Sequence, residues 1–211
     1  MDEAGLRSEI CTWGKSFFAR GMTAGSSGNI SVRLADGFLI TPTNSCLGRL
    51  YEDRLSRLDG EGNWVSGEKP SKEFLLHHAF YSSNQSYNAV VHLHSTYATL
   101  LSCIHSASDK DVIRPLTPYP IMRLGTVPFL PYSKPGSDAI VTHIQAIANK
   151  ANAVIIANHG PVVAGSDLES AVYAAEELEQ AAKLQILGDG FELRMLNSTQ
   201  QSELLRTLRL K

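Results

Sequence analysis

The chain has 211 residues, of which 43% are hydrophobic and 19% are charged, and its formal net charge is −2. This length and apolar content predict a single domain over residues 1–211 with a sizeable core, since compact domains commonly span about 100–200 residues. The lack of a basic surplus excludes a protein that binds nucleic acid mainly through electrostatic attraction. The apolar content and the small charge imbalance also exclude an intrinsically disordered chain.

Cysteine usage and the distribution of charge indicate the compartment. Cys11, Cys46 and Cys103 are widely spaced and include no CxxC pair, which argues against a disulfide scaffold and for a reducing environment. Residues 1–3 are acidic where a signal peptide is basic, and no apolar stretch follows them. Residues 74–108 carry no Asp, Glu, Lys or Arg, but their five histidines and other polar groups would be stranded in a bilayer. We therefore expect a cytoplasmic protein without membrane or nucleic-acid partners.

The first half of the chain predicts two helices separated by two hairpins. A helix over 3–20 carries apolar residues at helical spacing. The alternating run 29–41 turns at 35–37 (Ala-Asp-Gly), and a second hairpin brackets 59–63. Another helix starts near Pro70. The side chains expected to point inward from that helix are Phe74, Leu75, His78 and Ala79.

The second half predicts two short buried strands, a proline-rich connection and a long helix. Residues 89–93 and 153–157 are apolar, β-branched runs of strand length. Residues 115–135 contain six prolines and are expected to be mostly loop with short strand. A helix over 168–187 has a capping box at 166–169 and one face of Ala and Leu. The hairpins, and the lack of regular strand–helix alternation, predict an α/β fold whose sheet has much antiparallel pairing and is covered by helices.

Three histidines carry the strongest chemical signal. His92 and His94 are two residues apart on a predicted strand, so their imidazoles lie on the same side of it. His159 follows the other apolar strand, which Gly160 and Pro161 are expected to stop, so it lies at the end of the sheet where ligands often bind. Three imidazoles with an open fourth position are typical of a catalytic zinc site. The alternative is that each histidine is an ordinary hydrogen-bonded residue, and the third histidine favours the metal.

Glu73 is the candidate carboxylate for proton transfer or for a fourth metal bond. It lies in the first turn of the helix predicted near Ser71, where the helix dipole favours an anion. The alternative is that it is only a helix-start glutamate, which is the commoner case, and composition does not choose between these two roles. Two other folds that use an HxH pair are excluded. A cupin needs a Glu soon after the pair, which residues 95–99 lack, and an amidohydrolase barrel needs a longer chain.

Five short motifs occur in an order that resembles the class II aldolase/adducin-head family, typified by L-fuculose-phosphate aldolase. The resemblance extends over residues 5–190. It implies a three-layer α/β/α fold around a mostly antiparallel sheet, one zinc ion per chain, and a homotetramer with active sites between subunits. The motifs are GSSGNISVR at 25–33, ITPT at 40–43, PSKE at 70–73, HLHS at 92–95 and NHG at 158–160.

The resemblance also implies roles for individual residues. His92, His94 and His159 would be the metal ligands. Glu73 would be the acid/base and a fourth ligand before substrate arrives, and Tyr119 would be a catalytic tyrosine contributed by a neighbouring subunit. The positions that match the family's phosphate-binding residues are Asn29, Thr43, Asn44, Ser71 and Lys72.

Departures from the simple aldolases point to one branch of the family. Asn44 and Lys72 replace the usual glycine and serine, and residues 44–48 and 117–125 resemble the branch that decarboxylates 3-oxo-tetronate 4-phosphates. That resemblance implies zinc-dependent decarboxylation of a phosphorylated sugar acid to dihydroxyacetone phosphate and carbon dioxide, through an enediolate. A sugar-phosphate aldolase or epimerase is the alternative, followed by a non-catalytic adducin-like assembly domain. Lys72 and Arg123 add cations that could meet a substrate carboxylate, although a surface or structural role fits Arg123 equally well.

Overall fold

A computed structural model describes residues 2–104 and 110–208, with the backbone alone for 207 and 208. Within these ranges the chain forms seven α-helices, eight strands and two short 3-10 turns, at Leu47–Arg49 and Glu52–Arg54. The helices are α1 (Glu3–Ala19), α2 (Phe74–Ser83), α3 (Thr96–Ser102), α4 (Pro118–Leu124), α5 (Ala139–Ile147), α6 (Leu168–Leu187) and α7 (Ser198–Leu208). The strands are β1 (Asn29–Leu34), β2 (Gly37–Ile40), β3 (Ser56–Asp59), β4 (Trp64–Ser66), β5 (Ala89–His92), β6 (Phe129–Leu130), β7 (Ala153–Ile156) and β8 (Gly160–Gly165).

All eight strands form one sheet, in the order β4-β3-β2-β1-β5-β8-β7-β6. Every neighbouring pair is antiparallel except β6 and β7, which run parallel. The structure thus confirms the predicted α/β class with its mostly antiparallel sheet. None of the described helices is long and apolar enough to cross a membrane.

Helices cover both faces of the sheet, and each face has its own apolar core. Because side chains alternate along a strand, Val91 of β5 packs into the core under α1, α3 and α6, whereas Val90 packs into the core under α2 and α5. On β8, Val163 and Val162 divide between the cores in the same way. The three predicted layers are therefore present, and α7 lies outside them against α4.

Local signals placed most of the early elements correctly. The opening helix and both hairpins occur where they were predicted.

The capping box of α6 is present but lies one residue later than predicted, because the helix begins at Leu168 and the N-cap is therefore Asp167. Its carboxylate accepts a hydrogen bond of 2.7 Å from the backbone N–H of Ser170, whose hydroxyl accepts one of 3.1 Å from the N–H of Asp167.

Three expectations were wrong. The proline-rich segment has the expected short strand, β6, but it also contains the unexpected helix α4, since Pro118 and Pro120 occupy the first turn of that helix, where a missing N–H removes no helical hydrogen bond. Gly160 does not stop a strand but begins β8, which the sequence reading missed. In α2, Leu75 is 40% exposed and His78 only half-buried. The residues of α2 that are buried instead are Leu76, His77, Phe80 and Tyr81, with Phe74 and Ala79 as predicted.

Two leucines of α6 test the core assignment. Leu178 is fully buried, whereas Leu187 in the same helix is 57% exposed. Leu178→Ala is expected to lower the free energy of unfolding by about 2–5 kcal/mol, because it removes buried methyl groups and leaves a cavity. Leu187→Ala should change it by less than about 1 kcal/mol. Urea unfolding of both variants measures the difference, and equal losses would contradict the packing described.

Candidate active site

The structure brings the three histidines together at one end of the sheet. His92 is the last residue of β5, His94 follows two residues later, and His159 lies in the turn between β7 and β8. Because β5 pairs antiparallel with β8, the end of β5 lies beside the start of β8 and its preceding turn. His92 Nε2 lies 3.1 Å from His94 Nε2 and 3.2 Å from His159 Nε2.

The turn that carries His159 depends on two unusual backbone conformations. Asn158 adopts a left-handed φ of 54°, which Asn tolerates better than most residues. Gly160 has a φ of 152°, and a Cβ at that position would lie 2.8 Å from the Leu93 carbonyl oxygen. Only glycine allows the chain to pass so close to β5, and this approach is what places His159 beside His92.

Hydrogen bonding and burial leave the imidazoles ready to bind a metal. His92 Nδ1 donates to the Pro161 carbonyl over 2.8 Å, so its Nε2 carries the lone pair that faces the other two rings. Burial lowers the pKa of His92 to about 4 and also lowers the pKa of His94. Both rings are therefore neutral near pH 7, the state in which histidine ligates metals.

Glu73 completes the cluster, and it does not serve as a helix cap. It occupies the N-cap position of α2, one residue before the helix begins and not within its first turn as predicted, and its side chain makes no capping bond. Its carboxylate is buried, accepts a hydrogen bond of 2.8 Å from Asn29 Nδ2, and lies 3.2 Å from His159 Nε2. Burial alone would raise the pKa of Glu73, but contact with His159 and the nearby His92 outweighs it, so the pKa falls well below its usual range.

This donor set fits a divalent metal ion. Two ligands on a tetrahedral ion with bonds of about 2.05 Å are about 3.3 Å apart, close to the distances from His92 Nε2 to the Nε2 atoms of His94 and His159. The ligand atoms of these histidines all lie within 4.8 Å of one another. Among the described residues, none donates a well-formed hydrogen bond to the buried Oε1 of Glu73. A buried carboxylate oxygen without a donor, facing imidazole nitrogens, fits a fourth ligand or a substrate contact.

Comparison with known proteins agrees with this geometry. Residues 8–186 match the family described as class II aldolase and adducin N-terminal domain. The chain belongs to this family. It is 50% identical over 189 residues to the 3-oxo-tetronate 4-phosphate decarboxylase of Escherichia coli strain K12, covering 89% of each chain.

Two further proteins are similar to this chain over nearly its whole length. The L-fuculose phosphate aldolase of Haemophilus influenzae is 30% identical over 209 residues, which cover 97% of this chain and 94% of that protein. The crystal structure of YgbL from Escherichia coli superposes with a TM-score of 0.94 at 45% identity, covering 96% of this chain and 99% of the other. Both span nearly the whole fold, so the resemblance read from the motifs is confirmed.

Four of the five positions that the family resemblance predicts to bind phosphate lie on two adjacent loops beside Glu73. A bridge between Pro42 and Pro70 joins the loops, and the Thr43 N–H donates to the Lys69 carbonyl over 2.9 Å. α2 begins only at Phe74, so the expected helix N-terminus at Ser71–Lys72 is instead a turn that leads into the helix. The residues on the two loops are Thr43, Asn44, Ser71 and the exposed Lys72.

The fifth position, Asn29, does not lie on a loop as the other four positions do. It is buried on β1 opposite His92, where its side chain bonds to Glu73 and to His77. Its observed partners are therefore residues of the site itself.

Tyr119 does not join the histidine cluster within a single chain. It is 64% exposed on α4 and lines a cleft with Arg123 and Tyr173, whereas Glu73 and His159 line a different pocket. The Arg123 guanidinium stacks over the Tyr173 ring at 5.6 Å, which gives it a structural contact in that cleft.

Sequence reasoning missed two groups of residues around the site. The loop 133–137, through Ser133 and Lys134, lines the pocket that Glu73 and His159 share. The helix α2 also contributes His77 and Tyr81, fully buried behind Asn29. A signal for the second group existed: residues 73, 77 and 81 are spaced by four and therefore share one helix face.

Proposed function

We propose that this chain is a metal-dependent carbon–carbon lyase that decarboxylates a 3-oxo-tetronate 4-phosphate to dihydroxyacetone phosphate and carbon dioxide. The observation that carries the proposal is the cluster of His92, His94, His159 and Glu73, of which His92 and Glu73 are buried, in a chain that is 50% identical to a decarboxylase of that name. We further propose zinc as the metal, because three imidazoles and a carboxylate suit this borderline-soft ion.

The substrate is a β-keto acid with a hydroxyl at C2, and its decarboxylation consumes one proton. Breaking the C1–C2 bond releases carbon dioxide and leaves the electron pair delocalised between C2 and the C3 oxygen, as an enediolate. Protonation at C2 then gives the ketone product. Zinc held by His92, His94 and His159 would supply a Lewis acid that withdraws electron density from the substrate. The residues of this chain must orient the substrate and supply the proton.

Glu73 is proposed to carry that proton. Its contact with His159 and its proximity to His92 hold its pKa low in the free site. A substrate that displaces this carboxylate from the histidine cluster would separate it from His159 and His92. Burial would then raise the pKa of Glu73. The same carboxylate would thus be a ligand before substrate binds and a proton carrier afterwards.

The remaining proposals concern substrate binding and assembly. The loops with Thr43, Asn44, Ser71 and Lys72 would hold the phosphate through N–H and hydroxyl donors and one ammonium group. Tyr119, which lies in a separate cleft of its own chain, would reach the site of a neighbouring subunit in a homotetramer. We place the protein in the cytoplasm.

A sugar-phosphate aldolase is the second candidate, favoured by the 30% identity to an L-fuculose phosphate aldolase over nearly the whole chain. An aldolase reaches the same enediolate by releasing an aldehyde instead of carbon dioxide. Incubating the zinc-loaded protein with D- and L-3-oxo-tetronate 4-phosphates, and separately with L-fuculose 1-phosphate, distinguishes the two by product. Carbon dioxide and dihydroxyacetone phosphate in equal amounts from the first substrates are expected; cleavage of L-fuculose 1-phosphate alone would favour the aldolase.

Metal content tests the histidine cluster. The purified protein is expected to hold about one divalent metal per chain, and His159→Ala should lose both metal and activity, since removing one of three imidazoles weakens the site strongly. His143→Ala, which changes an exposed histidine on α5, should retain both. Elemental analysis after dialysis measures this. A metal-free protein whose activity resists chelators would refute the assignment.

Glu73→Gln separates metal binding from proton transfer while nearly preserving side-chain volume. The variant should keep most of its zinc through the three histidines, but its turnover should fall by roughly two to four orders of magnitude, the usual contribution of a general acid–base group. Product and metal are assayed on the same sample. Wild-type turnover in the zinc-loaded variant would move the proton role to Tyr119 or to water.

Lys72→Ala tests the phosphate site. A lost charge-assisted hydrogen bond of roughly 1.5–3 kcal/mol corresponds to about ten- to a hundredfold. The loss should appear as a higher KM with little change in kcat, if the contact is equal in the ground and transition states. Lys150→Ala, at an exposed lysine beyond the end of α5, is the matched control. Unchanged kinetics in Lys72→Ala would place Lys72 outside the pocket.

A further inference from the structure

A chain of buried polar side chains connects the interior of the protein to Glu73. The Ser31 hydroxyl lies 2.7 Å from the Tyr81 hydroxyl and 2.7 Å from His77 Nδ1. His77 Nε2 contacts Asn29 Oδ1, and Asn29 Nδ2 donates to Glu73 Oε2 over 2.8 Å. Ser31, His77 and Tyr81 are fully buried and Asn29 is 4% exposed, so water cannot readily replace any of these partners.

The direction of every hydrogen bond in this series follows from Glu73, the residue at its end. The Glu73 carboxylate accepts, so Asn29 turns its NH2 group to Glu73 and its carbonyl to His77. His77 Nε2 must then carry the proton, which leaves Nδ1 to accept from the Ser31 hydroxyl, and Ser31 accepts from Tyr81. The opposite tautomer of His77 would turn the Asn29 carbonyl toward Glu73 and place two acceptors in contact.

We propose that His77 is a positioning residue: as the Nε2–H tautomer, with Nδ1 accepting from Ser31, it orients the Asn29 amide and thereby fixes the Glu73 carboxylate toward the histidine cluster. An amide free to rotate has two orientations of nearly equal shape, of which only one donates to Glu73. Because the surroundings are dry, the wrong orientation leaves buried groups unpaired. Burial also lowers the pKa of His77 to about 3, so the ring is neutral and holds one proton.

The predicted effect of His77 on activity rests on the proposed function of Glu73, whereas the predicted tautomer of His77 is independent of that function. Nitrogen NMR of the intact metal-free protein with labelled histidine shows which ring nitrogen of His77 carries the proton. His77→Gln identifies the signal by its loss. The proton is expected on Nε2 at neutral pH, and a proton on Nδ1 would overturn the proposal. This measurement needs no substrate, so a failure of the proposed decarboxylation would leave its result intact.

Two substitutions separate the roles of the ring nitrogens. His77→Gln places an amide NH2 near the Nε2 position and keeps a donor for Asn29, whereas His77→Asn reaches only the Nδ1 position beside Ser31. In zinc-loaded His77→Asn, kcat is expected to fall about 10- to 100-fold, as when an outer partner of a metal ligand is removed, and KM to change less than about twofold. His77→Gln should recover most of this loss. His78→Gln, at the half-buried histidine next in the chain, should match the wild type.

Metal content and unfolding temperature of the same samples complete the test. Equal losses of kcat in His77→Gln and His77→Asn, with both proteins folded and zinc-loaded, would show that His77 only packs and would overturn the proposal. A higher KM with unchanged kcat in His77→Asn would overturn it as well, because Asn29 would then serve substrate binding alone. If neither variant folds, the tautomer of His77 in the wild-type protein decides the question, with its ring signals assigned by through-bond correlation to the backbone of residue 77 in uniformly labelled protein.

Discussion

The antiparallel pairing of β5 with β8 is the constraint on which the whole site depends. It places His92 at the end of one strand beside the turn that carries His159, and it presents the Pro161 carbonyl to His92 Nδ1 at 2.8 Å. One strand pairing therefore fixes both the position and the tautomer of the central imidazole. A register slip of one residue would turn His92 into the opposite core, since successive side chains face opposite sides of a sheet.

The polar groups around the site share the face of the sheet that packs against α2. Asn29 and Ser31 alternate with apolar neighbours on β1, and the helix face with Glu73, His77 and Tyr81 lies over them. Burial of these five polar groups would destabilise the fold if they were unpaired, and each of them forms a hydrogen bond with another of the five. The same packing explains why Glu73 does not cap its helix: its carboxylate is engaged by Asn29 and His159 instead.

Local spacing predicted the parts of the site that lie close together in the sequence. The two-residue spacing of His92 and His94 placed both imidazoles on one side, and the apolar run before His159 placed that residue at a strand end. The early hairpins were predictable for the same reason, since alternation and turn residues are local signals. The helix in the proline-rich segment was not predicted. Pro118 and Pro120 are compatible with a helix only in its first turn, and proline content does not reveal where a helix begins.

The sequence by itself determined the class of fold, the histidine set and the candidate carboxylate, because each has a signature within a few residues. Only the tertiary structure decided that residues 73, 77 and 81 face β1, that Gly160 must pass close to Leu93, and that Tyr119 lies in a separate cleft. Those features are contacts between residues far apart in the chain. Such contacts are selected by the packing of whole elements against one another, which no local pattern of residue types specifies.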